Sequence, residues 1–220
     1  PESLAPNAGE GLTLAMADDE AFNFYYPDNV ALLTRAGGRI IRFSPLHDSQ
    51  LPECQMVWLG GGYPELHAAA LAANTTMLVS LREAHQGGVA IYAECGGLMY
   101  LGSLLEDVDG VEHHMADIIP GRSKMGKRLT RFGYCEAQAL QPTLLAAEGD
   151  VLRGHEFHYS DFFPETPAVL ACRKVRDGQT LQVWSGGWQN GNTFASYLHV
   201  HFAQRPSMLN HWLNAAREAL

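Results

Sequence analysis

Residues 89–98, VAIYAECGGL, constrain the fold more than any other part of the chain, because an apolar strand runs directly into a helix through a cysteine. Ala93 and Gly97, two residues on either side of Cys95, are small enough for the sharp turn of a nucleophile elbow. At the first turn of a helix, unpaired N–H groups and the helix dipole favour a thiolate over a thiol. The segment therefore predicts Cys95 as a catalytic nucleophile; the alternative is a small buried residue beside a Gly-Gly turn.

Strands and helices alternate through the first half of the chain. Apolar runs predict strands over 11–17, 39–44, 55–59 and 89–95, and helical patterns cover 29–36, 64–73 and 75–86, the first with Asp28 as its N-cap. Such alternation is typical of a mostly parallel α/β sheet covered by helices on both faces. Beyond residue 105, the pattern predicts an antiparallel extension and a last helix over 205–220, with strands over 127–139, 151–159, 168–175, 181–184 and 193–202.

Composition excludes several classes of protein. With 220 residues, 46% of them apolar, the chain has material for one α/β domain. We expect it to be soluble and cytoplasmic, since no signal peptide or membrane-spanning run is evident. The formal charge of −9 argues against nucleic acid or an anionic membrane as partner. Residues 1–10, PESLAPNAGE, are predicted to be the remnant of an interdomain linker, and residues 11–220 the domain itself.

Three glycines follow the strand that ends at residue 59. Because ligands gather at the carboxyl ends of parallel strands, Gly61 and Gly62 should face the same crevice as Cys95. Their N–H groups, together with that of Gly96, are predicted to form an oxyanion hole. The alternative is a plain tight turn.

The predicted strand over 193–202 carries two histidines, His199 and His201. His199 is predicted to be the base that activates Cys95 and later protonates a leaving amine, while His201 either orients it or covers the site. The HxH spacing also suits a metal, but no further ligand is evident and we predict none. A structural histidine pair remains the alternative.

Two other segments are dense in polar residues. In 153–160, RGHEFHYS, His155 and His158 should point to opposite faces of a strand, and Glu156 either joins the site or is hydrogen-bonded at the sheet edge. Residues 121–128, GRSKMGKR, satisfy GxxxxGK but have Arg128 where Ser or Thr would bind magnesium. We predict a basic loop there, either solvated or facing a polycarboxylate or a partner domain.

Five separated motifs carry a family resemblance. They are AFNFYYPDN at 21–29, LGGGYPEL at 59–66, YAECGGLMYL at 92–101, GHEFHYS at 154–160 and SYLHVHF at 196–202. In these motifs the chain resembles the class I, or triad, glutamine amidotransferase domains of flavodoxin-like fold. Among them it is most similar to the C-terminal domains of cobyrinic or hydrogenobyrinic acid a,c-diamide synthases.

The resemblance implies a glutaminase within a carbon–nitrogen ligase of cobalamin biosynthesis. Cys95 would attack the side-chain amide of glutamine, His199 would shuttle the proton, and a glutamyl thioester would be hydrolysed. His158 and Tyr159 are assigned to substrate binding. The ammonia would pass to an N-terminal ATPase domain that amidates the a- and c-acetate carboxylates of a corrin substrate. No cofactor is implied for this domain; ATP and Mg²⁺ would bind to the N-terminal ATPase domain.

One position departs from the family pattern. Triad members carry a carboxylate two residues after the histidine, where this chain has His201. Either a remote group such as Glu156 substitutes, or the site works as a Cys-His dyad.

Two other functions stay open from the sequence. One is a sibling amidotransferase acting on cobyric acid or a cell-wall lipid precursor. The other is a corrin-binding module of low activity that uses Phe24, Tyr25, Tyr26 and the basic loop.

Overall fold

A computed structural model of the chain describes residues 3–220, apart from the side chain of residue 132. The strands, in chain order, are β1 (Thr13–Ala17), β2 (Phe22–Phe24), β3 (Arg39–Phe43), β4 (Met56–Leu59), β5 (Gly61–Gly62), β6 (Ala90–Glu94), β7 (Leu104–Glu106), β8 (Glu112–His114), β9 (Gly121–Met125), β10 (Arg131–Ala139), β11 (Val151–His158), β12 (Ser160–Pro164), β13 (Leu170–Arg176), β14 (Gln179–Gly186), β15 (Trp188–Asn190), β16 (Thr193–Ser196) and β17 (His199–Val200). The helices are α1 (Pro27–Arg35), α2 (Ala68–Ala73), α3 (Thr75–Gln86), α4 (Gly96–Leu101) and α5 (Ser207–Glu218), with 3₁₀ turns at Pro64–His67 and Phe202–Gln204.

The central sheet has the strand order β15-β16-β6-β4-β1-β3, and every neighbouring pair in it is parallel except β15 with β16. The predicted mostly parallel α/β fold is therefore confirmed. Both faces of β4 and β6 are buried, as their unbroken apolar runs predict.

Two hydrophobic clusters cover the faces of this sheet. Trp58 and Tyr92 point into the cluster that contains Leu33 of α1 and Trp212 of α5. Their neighbours along the strands point into the second cluster, which α2, α3 and α4 complete. The Trp212 indole N–H donates to the Ala90 carbonyl at 3.0 Å, which fixes α5 against β6.

The antiparallel extension predicted for the second half of the chain is also present. One sheet has the order β14-β13-β10-β11-β17, with antiparallel pairing throughout. A mixed sheet has the order β12-β9-β7-β8, and β2 pairs with β5. Within residues 3–220, no helix combines the length and the apolar character needed to cross a membrane.

The prediction of one strand over 193–202 is wrong. The strand β16 ends at Ser196, whose hydroxyl accepts a hydrogen bond from the Leu198 N–H at 3.1 Å and so turns the chain. The next strand, β17, joins the antiparallel sheet beside β11. His199 therefore stands on a different sheet from the strand that precedes it.

The prediction of a basic loop over 121–128 is wrong for 121–125, which form β9 between β12 and β7. Gly121 and Ser123 are buried while Arg122 and Lys124 are not, which is the period of a strand. Arg122 pairs with Glu112 at 3.0 Å and Lys124 with Glu106 at 3.6 Å.

Smaller differences concern element ends. The first helix begins at Pro27 rather than after Asp28, because proline is well suited to the first helical position. The predicted helix over 64–73 divides into a 3₁₀ turn and α2.

The segment ahead of β1 is hydrogen-bonded to the rest of the domain. The Gly9 N–H donates to the Ala36 carbonyl at 2.8 Å, and Arg217 donates to the carbonyls of Ala8 and Glu10, each at 2.8 Å. The assignment of residues 1–10 as a linker stays a prediction.

Candidate active site

Cys95 occupies the corner between β6 and α4 that the sequence predicts. Its backbone has φ 51° and ψ −102°, a conformation that costs free energy in any residue with a Cβ. The Cys95 N–H donates to the Ser196 carbonyl at 2.8 Å, which ties the corner to the neighbouring strand. A methyl group at Gly97 would overlap the Leu59 carbonyl oxygen, so the turn is as tight as its glycine allows.

A cavity of about 300 Å³ opens above this corner. Its lining includes Phe24, Gly62, Tyr63, Cys95, Phe157 and His199. The Cys95 Sγ lies 3.8 Å from the Phe157 carbonyl oxygen, and only 9% of the residue is exposed. Cys95 thus lines the cavity although most of the residue is buried.

The strand β17 delivers His199 to this cavity. It pairs with β11 so that His199 lies opposite His155, and Phe24 packs edge-on against the His199 ring at a centroid distance of 5.2 Å. The buried Asn29 side chain donates to the Val200 carbonyl at 2.7 Å and accepts from the Phe202 N–H at 2.9 Å. These contacts fix the backbone that follows His199, and with it the position of the ring.

Two acidic or nucleophilic groups flank the His199 ring. Burial lowers the pKa of His199, but the contacts with Cys95 and with Glu94 outweigh it and raise the pKa to about 10. The nearer Glu94 oxygen, Oε2, lies 3.2 Å from His199 Nδ1. The raised pKa favours the imidazolium form of the ring, which can protonate a leaving group beside Cys95.

The glycine loop lies against both Cys95 and His199. A Cβ at Gly61 would come within 2.7 Å of His199 Cε1, and one at Gly96 within 3.3 Å of the Gly62 nitrogen. The Gly60 N–H donates to the Tyr25 hydroxyl at 3.0 Å, which holds the loop from below. The Gly62 nitrogen therefore lies beside Gly96, and the use of these amides as an oxyanion hole stays a prediction.

Glu156 and His158 lie on the opposite face of β11 from the cavity. The His158 Nδ1–H donates to the Ser160 carbonyl at 2.8 Å, and its Nε2 lies 3.3 Å from Glu156 Oε1. The His158 ring also stacks on Tyr197 at 3.6 Å. The structure thus pairs Glu156 with His158 rather than with His199, because alternate strand residues point to opposite faces.

That opposite face lines a second cavity, of about 380 Å³, which contains neither Cys95 nor His199. His201 and Tyr159 also lie apart from the first cavity. The His201 ring stacks on Tyr26 at 3.8 Å, and Tyr159 is 43% exposed beside Phe157. Among residues 3–220, no group of three or more His, Cys, Asp and Glu side chains is placed to hold a metal ion.

Sequence reasoning missed Glu94 and the aromatic walls of the cavity. Glu94 is only 4% exposed and stands at the end of an otherwise apolar strand. A charge in such a place requires a partner. This requirement is the signal that could have identified it.

Comparison with known proteins places the chain among amidotransferases. A family model described as the CobB/CobQ-like glutamine amidotransferase domain matches residues 13–207. The cobyrinate a,c-diamide synthase of Salmonella typhimurium is 78% identical over 220 residues, which are 100% of this chain and 48% of that protein. The synthase of the same name from Listeria innocua is 48% identical over 207 residues, covering 94% of this chain and 46% of that protein. The chain thus spans about half the length of the curated relatives it matches.

Solved structures show the same fold at low identity. The structure of PurLQS from Thermotoga maritima superposes with a TM-score of 0.60 at 16% identity, covering 94% of this chain and 96% of that one. A second structure, described as a glutamine amidotransferase, gives a TM-score of 0.58 at 14% identity, with 94% and 100% coverage.

Proposed function

Because the chain belongs to the family of CobB/CobQ-like glutamine amidotransferase domains, we propose that its cavity hydrolyses glutamine through a thioester at Cys95. The observation that carries the proposal is the meeting of a strained cysteine and a buried histidine in one small cavity, where the contacts with Cys95 and Glu94 raise the pKa of the histidine. A thiolate and a protonated histidine are the two groups that amide cleavage by a cysteine requires.

The reaction would proceed in two steps. The Cys95 thiolate attacks the side-chain amide carbon of glutamine, and the carbonyl oxygen becomes an oxyanion within reach of the Gly62 and Gly96 N–H groups. The His199 imidazolium gives its proton to the amide nitrogen, the C–N bond breaks and ammonia leaves. A water molecule, deprotonated by His199, then attacks the thioester, and glutamate and the Cys95 thiolate are released.

The ammonia would serve the amidation of a corrin acid. This part of the proposal is supported by the name and 78% identity of the Salmonella typhimurium relative. ATP and Mg²⁺ would act on an N-terminal partner domain, for which the doubled length of the relatives leaves room. The residues present here do not fit a nucleotide, because residues 121–125 of the GxxxxGK segment form an extended strand instead of a phosphate-binding loop, and Arg128 stands where Ser or Thr would bind magnesium.

A role as a corrin-binding module finds less support. The Tyr25 hydroxyl donates to the Ala17 carbonyl and accepts from Gly60, so this side chain supports the glycine loop. Tyr26 stacks on His201. Both tyrosines thus have structural contacts within the domain, and neither supports the corrin-binding alternative.

Glutamate release tests the proposed function. The full-length protein, supplied with ATP, Mg²⁺ and cobyrinic acid, should convert glutamine to glutamate in step with amide formation, and should leave asparagine intact. No release of glutamate under these conditions would overturn the proposal. Release with cobyric acid instead would move it to a sibling amidotransferase.

Gly61→Ala should lower kcat/KM for glutamine by roughly 10- to 100-fold, because the new methyl would push the His199 ring out of place. Steady-state glutaminase assays and thermal unfolding would measure the effect. Gly186→Ala is the matched control, since its methyl would meet only Cys172 Sγ at 3.4 Å. Equal activity of the two variants would show that displacement of the His199 ring does not affect glutamine hydrolysis.

A further inference from the structure

We propose, on the premise that the cavity hydrolyses glutamine, that Glu94 is the carboxylate that positions His199. It would fill the role for which this chain lacks a carboxylate at residue 201. The residue comes from an unexpected place, directly before the nucleophile on β6.

The contact is short and secluded from water. Glu94 Oε2 and His199 Nδ1 are 3.2 Å apart, and the two side chains are 5% and 7% exposed. The ring N–H is not well aligned with the oxygen, as is common for catalytic contacts before substrate binds. At this burial, a carboxylate and an imidazolium each need the other, because neither charge is stabilised by solvent.

The geometry follows from the break between β16 and β17. Glu94 points to the same side of the central sheet as Tyr92, two residues earlier, while Cys95 sits on the corner above. The chain leaves the central sheet after Ser196 and continues as β17 in the antiparallel sheet, which sets His199 against both the carboxylate and the sulfur. A continuous strand over 193–202 would have kept His199 in the central sheet.

The carboxylate would fix the proton on the ring. With Nδ1 facing Glu94, the Nδ1–H is the bond that the carboxylate orients, and Nε2 is the nitrogen left for Cys95. The negative charge also favours the imidazolium over the neutral ring. Both effects keep His199 ready to protonate the amide nitrogen that leaves as ammonia.

The other groups that face this pair do not supply the same charge. His155 faces His199 from β11, and burial together with the charge of His199 lowers the pKa of His155, so its ring stays neutral. Tyr92 and Tyr26 face Glu94, and burial together with its charge raises their pKa values, so they remain uncharged. Glu94 is therefore the group among these that supplies a negative charge beside His199.

The decisive variant is Glu94→Gln in the full-length protein. It keeps the shape of the side chain and removes the charge. We expect kcat for glutamine to fall by roughly 10²-fold or more, with KM changed by less than about threefold. The alkaline limb of the kcat/KM profile should move to lower pH by at least about one unit, because loss of the carboxylate lowers the pKa of His199. Glu94→Asp, which restores the charge, should move the limb back toward its wild-type position.

Glu156→Gln is the matched control, because it removes a buried carboxylate that contacts His158 on the far face of β11. The alkaline limb should stay in place in this variant. A merely structural role for Glu94 would lower stability without moving the limb.

The outcomes separate the two proposals. If the wild-type protein neither hydrolyses glutamine nor reacts with a glutamine analogue at Cys95, the proposed function fails. If the wild-type protein is active and Glu94→Gln retains its kcat and pH profile, the positioning role is refuted while the glutaminase stands. If Glu156→Gln moves the limb instead, the positioning carboxylate is Glu156.

Discussion

Cys95→Ala is expected to abolish glutamine hydrolysis, with kcat falling by at least roughly 10⁴-fold. The sulfur forms the covalent bond in the proposed mechanism, and alanine offers no atom that can replace it. The cavity and His199 should be unchanged, since the side chain loses a single atom. Glutamate release by the full-length variant, measured against the uncatalysed rate, gives the size of the loss.

Cys54→Ala is the matched control for this prediction. Cys54 lies just before β4, at the amino ends of the parallel strands, whereas Cys95 lies at their carboxyl ends. Burial raises the pKa of the Cys54 thiol to about 11, so it is protonated and unreactive at neutral pH. This variant should hydrolyse glutamine at the wild-type rate. Near-normal activity in Cys95→Ala, with activity lost in Cys54→Ala, would show that the nucleophile has been misassigned.

Gly97→Ala is expected to lower the free energy of unfolding by roughly 3 kcal/mol. In an exposed helix this change would instead stabilise the protein by about 1 kcal/mol. The sign reverses because the new methyl would lie 2.9 Å from Leu59 Cβ and would overlap the Leu59 carbonyl oxygen. Relief of that clash requires α4 to move away from β4, which would also displace the Cys95 corner. Urea denaturation measures the stability, and glutaminase assays measure the displacement.

Gly38→Ala provides the comparison. Its methyl would meet the Leu33 carbonyl oxygen at 3.6 Å, an ordinary contact, so stability should change by less than about 0.5 kcal/mol. If Gly97→Ala proved as stable as Gly38→Ala, the corner would be looser than the structure indicates.

The central sheet and the elbow could be predicted because their signals are local. An apolar run followed by Cys-Gly-Gly specifies strand, turn and helix within residues 89–98. Helical patterns that extend over nine to twelve residues specify α1, α3 and α5. Parallel order then follows from the alternation of these elements. The cavity's position at the carboxyl ends of the strands is a consequence of that topology.

The partner of His199 could not be predicted in the same way. The alternating pattern of 194–202 is the same whether the strand continues in one sheet or crosses to another. The choice is made by the pairing of β17 with Gly154 and His155, more than forty positions earlier in the sequence. Once the chain crosses, Glu94 lies beside the ring and Glu156 points away from it.

The misread segment 121–125 has a related cause. Its GxxxxGK spacing suggested a loop, while its strand character depends on pairing with β12 and with β7. Short strands of a mixed sheet carry little signal of their own.

Reaction with diazo-oxo-norleucine, a glutamine analogue that alkylates activated cysteines, tests the central claim most directly. Peptide mapping by mass spectrometry of the full-length protein should find one adduct, on Cys95, and prior incubation with glutamine should slow its formation. Adducts on Cys54, Cys135 or Cys172 in its place, or a protein that hydrolyses glutamine and yet acquires no adduct at Cys95, would contradict the account.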